Sequence, residues 1–153
     1  MVRLATDVGF RVFVVDHRAA YLSEDRFPDA WRFLHARDST SMADLPCGEQ
    51  SFAVVKTHSL LRDGDWVRSL VSIPLRYVGL LGPRDRRQEI LAELSKEERR
   101  SVYGPVGLDV GAEGPEQVAL SIVAELLGVV SGRAPGHLRD STRSIHVEPD
   151  DER

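Results

Sequence analysis

The sequence predicts an α/β fold in which a mainly parallel sheet carries helices on its faces. Three observations lead there. Short apolar runs, Phe10 to Val15 (FRVFVV), Ser51 to Lys56 (SFAVVK) and Leu75 to Leu81 (LRYVGLL), lack the alternation of a half-solvated sheet and read as strands covered on both faces. Stretches of helical periodicity alternate with them. Two glycine-punctuated segments, Tyr77 to Arg84 (YVGLLGPR) and Gly104 to Ala112 (GPVGLDVGA), each carry the chain from an apolar run through a turn to a helix starting with proline. That is how an α/β sheet builds a ligand-facing edge at the carboxyl ends of its strands.

Each element follows from local signals. Met1 to Val8 reads as the end of a helix, with Val2, Leu4, Ala5 and Val8 apolar and Gly9 as a left-handed cap. The strand Phe10 to Val15 stops at Asp16, and after a loop containing Glu24 to Pro28 a short strand is expected over Ala30 to His35. Ser51 to Lys56 ends at the polar pair Thr57 and His58. Gly64 to Val71 reads as a helix with Trp66, Val67, Leu70 and Val71 on one side, broken by Pro74. Pro83 opens the next helix, which runs to about Leu94 and buries Ile90, Leu91 and Leu94. Arg84, Arg86 and Arg87 crowd its start, where their charge opposes the helix dipole. From Pro115 to about Ser131, Val118, Ala119, Ile122, Val123, Leu126, Leu127 and Val130 recur at helical spacing, and Gly132 can close the helix. Residues 1–133 therefore read as one domain. Residues 134–153 are polar and acidic and read as a flexible tail.

Composition narrows the partners. A chain of 153 residues that is 42% hydrophobic can bury one core, so a single domain is expected. Its net charge of -4 supplies no basic field for a nucleic-acid backbone and no polybasic surface for anionic lipid. Cys47 is the only cysteine, which excludes a disulfide framework and a thiolate cluster and suits a reducing cytoplasm. No apolar run approaches the roughly 20 residues needed to cross a bilayer, and none has the form of a signal-peptide core. The five histidines are scattered without i, i+4 pairing, so no metal site is expected from side chains. Small molecules and proteins remain.

Several residues could carry chemistry. A carboxylate at the end of the second strand of a nucleotide-binding unit can accept both hydroxyls of a ribose, which makes Asp16 a candidate ligand contact. The glycine loop that lies about 20 residues upstream of such an acid has no counterpart here, and the alternative is that Asp16 ends a strand and caps a turn. Arg18 could pair with a phosphate or only with Asp16. At the turn from Gly79 to Arg84, Gly82 permits close backbone approach, the helix start offers free N–H groups and Arg84 adds charge, a geometry suited to an anion. Alternatively Gly79 and Gly82 only allow tight packing. Arg86 and Arg87 read as a solvated helix face shared with Glu89 and Glu93. Thr57 and His58 lie at the same expected edge, where they could hold a ligand or transfer a proton. Asp109, between Gly107 and Gly111, is either presented by a glycine-permitted turn or caps the loop before Pro115. Cys47 has no histidine near it in sequence to activate it and reads as incidental.

Taken together, Asp16 to Arg18 (DHR), Phe27 and Pro28, Thr57 and His58, Tyr77 to Gly82, Gly104 to Ala112 with Pro115 and Glu116, and Ala119 to Glu125 resemble the XdhC/CoxI family, in family order and spacing, over residues 1–133. The resemblance implies the Rossmann-like C-terminal domain of an accessory protein for molybdenum hydroxylases such as xanthine dehydrogenase and carbon monoxide dehydrogenase. It implies binding of molybdenum cofactor (molybdopterin), support of its sulfuration and its delivery to the apoenzyme, with a cysteine desulfurase as a further partner and a homo-oligomeric state. On that reading the chain is a cofactor-binding chaperone, no catalytic residue is required, and Asp16, Arg18, Thr57, His58, Gly79, Gly82, Arg84 and Asp109 are the candidate cofactor contacts.

Two departures from the family pattern shape the expectations. Nothing here resembles the family's N-terminal region with its glycine and cysteine motif. The family's Rossmann-like domain also opens with a central strand and a glycine-rich turn, whereas this chain begins inside the helix that follows them. A three-layer α/β/α domain lacking its first strand is therefore expected, with Phe10 to Val15 and Ser51 to Lys56 flanking the vacant position rather than pairing, or with a partner segment between them. Met1 would then be an internal start. The alternatives are a fragment of an NAD(P)-binding oxidoreductase, favoured by Asp16, and a nonfunctional or partner-binding remnant.

Overall fold

The computed structural model describes residues 1–38, 45, 47–142 and 144. Five strands and five α-helices follow one another along it: α1 (Val2–Asp7), β1 (Phe13–Asp16), β2 (Arg32–His35), β3 (Phe52–Val55), α2 (Leu60–Val71), β4 (Tyr77–Leu80), α3 (Arg84–Ala92), α4 (Lys96–Ser101), β5 (Val102–Tyr103) and α5 (Pro115–Ser131). The strands form two parallel sheets. One is β1 with β2, and the other is β3, β4 and β5 in that order. Among the described residues β1 and β3 do not pair, as the sequence leads one to expect. What joins the two sheets is side-chain packing: Phe10, just before β1, meets Phe52, the first residue of β3, edge to face at 5.5 Å, and α1 packs on α5.

Strand alternation sorts the core into two layers. Side chains of successive residues point to opposite faces of a sheet. Val55, Val78 and Leu80 therefore join Val67 and Leu70 of α2 and Ile90 and Leu91 of α3 on one face. Phe52, Val54 and Tyr77 face the other way, towards Ile122 and Leu126 of α5. The result is a three-layer α/β/α arrangement in which every residue of β4 is buried.

Helix ends agree with the local chemistry, with some corrections. Gly9 (φ 96°) and Gly132 (φ 63°) close α1 and α5 in the left-handed region, as their positions predict. The helix expected from Gly64 instead begins one turn earlier at Leu60, because Ser59 accepts the Arg62 N–H and caps it. Gly64 then sits inside α2, buried against the Arg68 guanidinium. The sequence reading misses α4 and β5. No apolar periodicity marks KEERRS, yet Ser95 and Glu98 form a reciprocal capping box that stands in the sequence as S-x-x-E. On α5 the buried stripe is narrower than its spacing suggests, since Leu127 and Val130 are 41% and 44% exposed.

Two polar clamps hold this frame. Arg76, just before β4, donates to the Val129 and Val130 carbonyls at 3.0 Å each, so a cation sits on the last carbonyls of α5. Glu125 of α5 accepts the Tyr77 hydroxyl and, at 2.9 Å, the Gly107 N–H. Gly107 adopts φ 107°, and a Cβ there would lie 2.5 Å from the Ser121 hydroxyl, so only glycine lets this loop close on α5. The polar tail expected beyond Arg133 forms a short 3₁₀ turn at Leu138–Asp140, and Arg133 donates to the Ser144 carbonyl at 3.0 Å. Residues 143 and 145–153 lie outside the described residues.

Candidate functional site

Where β3 ends, the chain turns through Thr57 into α2. Asp63, fully buried on α2, accepts the Thr57 N–H at 3.1 Å and lies 2.5 Å from the Thr57 hydroxyl. That hydroxyl also accepts the Ser59 N–H at 3.2 Å. Thr57 thus shapes the turn through both its backbone and its side chain. The other Asp63 oxygen accepts from Arg86 of α3, whose Nη2 also reaches the Thr57 carbonyl at 3.2 Å. This buried ion pair ties the N-terminal half of α3 to the carboxyl end of β3. Sequence reasoning missed Asp63, and His58 beside it is exposed, with no polar partner among the described residues.

The glycines of the two punctuated segments make room for arginines. A Cβ on Gly82 (φ 145°) would lie 3.0 Å from the Arg86 Cδ, and one on Gly104 would lie 3.0 Å from the Arg87 Cδ and 3.3 Å from its Nε. Arg86 and Arg87 are therefore not the solvated face expected from sequence. Both are partly buried, and their stems run beneath the strand-end loops. The expected partner Glu93 instead pairs with Arg68. Gly79 has a different role: a Cβ there would fall 2.6 Å from the Tyr77 ring and 2.8 Å from Val106, so its bareness admits the buried tyrosine. Arg84, the first residue of α3, is exposed and without a polar partner among the described residues. The N–H groups of the first turn of α3 beside it have no intrahelical acceptor.

Asp16 is the last residue of β1, and Arg18 occupies it. One carboxylate oxygen accepts the Arg18 N–H at 2.8 Å and Nε at 3.0 Å, while the other accepts Nη2 at 2.9 Å. Arg18 also stacks on the Tyr21 ring at 3.7 Å, with Arg26 on the same ring at 4.1 Å. The Arg18 hydrogen bonds hold the Asp16 carboxyl down at about 2, below its ordinary 3.8. A depressed carboxyl stabilises the fold above its unfolded pKa and loses that contribution as pH falls through the folded one. Wild type should thus exceed Asp16→Asn in stability near neutral pH by no more than about 1 kcal/mol, since the pair is solvent-screened. Thermal melting should show this gap closing as the pH falls from about 4 to about 2.

A scan against family models matches residues 1–126 to the XdhC Rossmann domain. The chain belongs to the XdhC family. It is 38% identical over 127 residues to a probable xanthine dehydrogenase subunit of Bacillus subtilis, an alignment covering 83% of this chain and 38% of that protein. A second relative, the uncharacterized protein YqeB of Escherichia coli, is 30% identical over 137 residues, covering 86% of this chain and 25% of its own length. Among solved structures, a xanthine dehydrogenase from Bacillus halodurans superposes with a TM-score of 0.79 at 30% identity over 92% of this chain and 40% of that one. The chain thus spans well under half the length of these relatives.

Within this XdhC Rossmann domain the candidate residues fall into separate groups. Asp16 and Arg18 bind each other at the end of β1. Thr57, Gly82 and Arg84 gather at the ends of β3 and β4, joined through Arg86 and Asp63. Asp109 is exposed in the loop between Gly107 and Gly111, both with positive φ, and has no polar partner among the described residues. Cys47 is partly buried against the α2 and α3 side of the core, and burial pushes its thiol up, away from reactive thiolate character. Among the described residues no helix is long and apolar enough to cross a membrane, and no group of three or more His, Cys, Asp or Glu side chains could hold a metal ion.

Proposed function

We propose that this chain is a cofactor-binding module serving a molybdenum hydroxylase, holding molybdopterin by its phosphate for delivery to the apoenzyme. The observation that carries this reading is the edge at β4: a glycine turn, the open first turn of α3 and Arg84, set in place by the buried Arg86 and Asp63 pair. Backbone N–H groups and a guanidinium are donors suited to phosphate. Molybdopterin carries the dithiolene that holds molybdenum, and its phosphate is the end this edge can grip. The names of the relatives, a crystallised xanthine dehydrogenase and a probable component of another, support a partner of that class. Support of sulfuration, a cysteine desulfurase partner and self-association belong to the same reading.

An NAD(P)-dependent oxidoreductase fragment is the weaker reading, because Arg18 already engages both oxygens of the carboxylate that would bind the ribose. The test is to isolate the protein from cells and identify the small molecule that accompanies it. A phosphorylated pterin is the expected result; a nicotinamide dinucleotide alone would overturn the delivery role.

A further inference from the structure

We infer that Arg87 is a second anion-recognising side chain beside this edge, gripping a diphosphate or phosphate ester in the groove between α3 and α4. This rests on reading the edge as phosphate-binding. Arg86 and Arg87 are neighbours given room by parallel devices, Gly82 and Gly104, but their guanidinium groups end differently. Arg86 reaches Asp63 and the Thr57 carbonyl. The Nε of Arg86 and of Arg87 are both shut off from solvent and unbonded, but at Arg87 the other guanidinium nitrogens also have no acceptor among the described residues. A guanidinium fork with no acceptor in the chain is free to take one from outside it.

The surroundings define what that partner is. Arg87, Gln88, Leu91 and Ala92 of α3 and Arg99 of α4 line a groove of about 380 Å³, more than ten times the roughly 30 Å³ that a water molecule takes in the liquid. Both charged side chains lining it are arginines. Arg99 is fixed as one wall, donating from Nε to the Leu94 carbonyl at 2.9 Å and from Nη2 to the Ala92 carbonyl at 3.1 Å. Arg87 is the unfastened fork, and a planar guanidinium matches a phosphoryl group through two parallel hydrogen bonds. Arg84 lies one turn earlier on the same helix, at i−3, so the two cations share a face.

Titration calorimetry with pyrophosphate tests the assignment. Arg87→Gln is expected to weaken binding at least tenfold with an unchanged melting temperature, whereas Arg100→Gln, outside the groove, binds as wild type. Gly104→Ala, which crowds the Arg87 stem, should also weaken binding. If Arg87→Gln melts early, Arg87→Lys takes its place, keeping charge and stem while losing the fork, and should bind several-fold more weakly. Absence of pyrophosphate binding by wild type at millimolar concentration, or equal affinity in a folded Arg87 variant, overturns the inference. Pyrophosphate bound through Arg87 by a protein that brings no pterin from cells would uphold the anion site while refuting cofactor delivery.

Discussion

Replacing Arg86 with leucine is expected to destabilise the domain by about 3–5 kcal/mol, because Asp63 would remain as an unpaired charge at a fully buried position. For a chain of this length that loss lowers the melting temperature by roughly 6–20 °C. The variant Asp63→Leu combined with Arg86→Leu should recover part of it, since removing both charges removes the desolvation problem along with the attraction while the Thr57 N–H loses its acceptor. Calorimetric melting of the two single variants and the double variant checks the sign. A double variant as unstable as the sum of the singles would mean that the pair is not coupled. The same substitution frees the first turns of α3 from β3, so pyrophosphate affinity should fall with stability in Arg86→Leu. In Arg87→Gln only the affinity should fall.

The second large effect is expected at Glu125. Its carboxylate accepts from both the Tyr77 hydroxyl and the Gly107 N–H, so Glu125→Ala leaves two donors without an acceptor. At about 1–3 kcal/mol for each, a loss of about 2–6 kcal/mol follows, read as a lower midpoint in urea with little change in slope. Tyr77→Phe removes one donor together with its hydrogen bond and should cost about 1 kcal/mol. Burial, reinforced by Glu125, raises the Tyr77 hydroxyl well above the ordinary tyrosine range. A raised pKa contributes stability that is fully present below the unfolded value and lost only above it, so raising the pH from neutral to about 10 should leave this clamp unchanged.

Local signals carried much of the fold. The helix over Pro115 to Ser131 was legible to the residue, because proline, an apolar stripe and glycine all mark it. The apolar runs mark where the strands lie but overshoot the ladders by one to three residues at most ends, and the run from Phe10 stops short of Asp16, which β1 contains, since periodicity marks burial and not hydrogen bonding. β5 has two residues and no pattern to read, and it exists because β4 offers it an edge. The site was less legible for a physical reason. Asp63 stands just before the helix that the sequence predicts from Gly64, and only the arrival of Arg86 from 23 residues away makes that aspartate a buried anchor. Likewise the spacing roles of Gly82 and Gly104 depend on which arginine stem crosses beneath each. A glycine in sequence announces that something comes close without saying what.

The missing ladder between β1 and β3 has a consequence for reach. Backbone hydrogen bonds between neighbouring strands fix register to one spacing, whereas an aromatic contact such as Phe10 on Phe52 and a helix pair such as α1 on α5 can slide and tilt. The smaller sheet, with Asp16 and Arg18 at its tip, is therefore mounted like one jaw of a caliper. Its separation from the arginines of α3 is set by the Phe10 and Phe52 rings and the α1–α5 pair, so exchanging Phe10 for a smaller side chain should shift the Asp16 and Arg18 tip relative to α3 while leaving the contacts within each sheet intact.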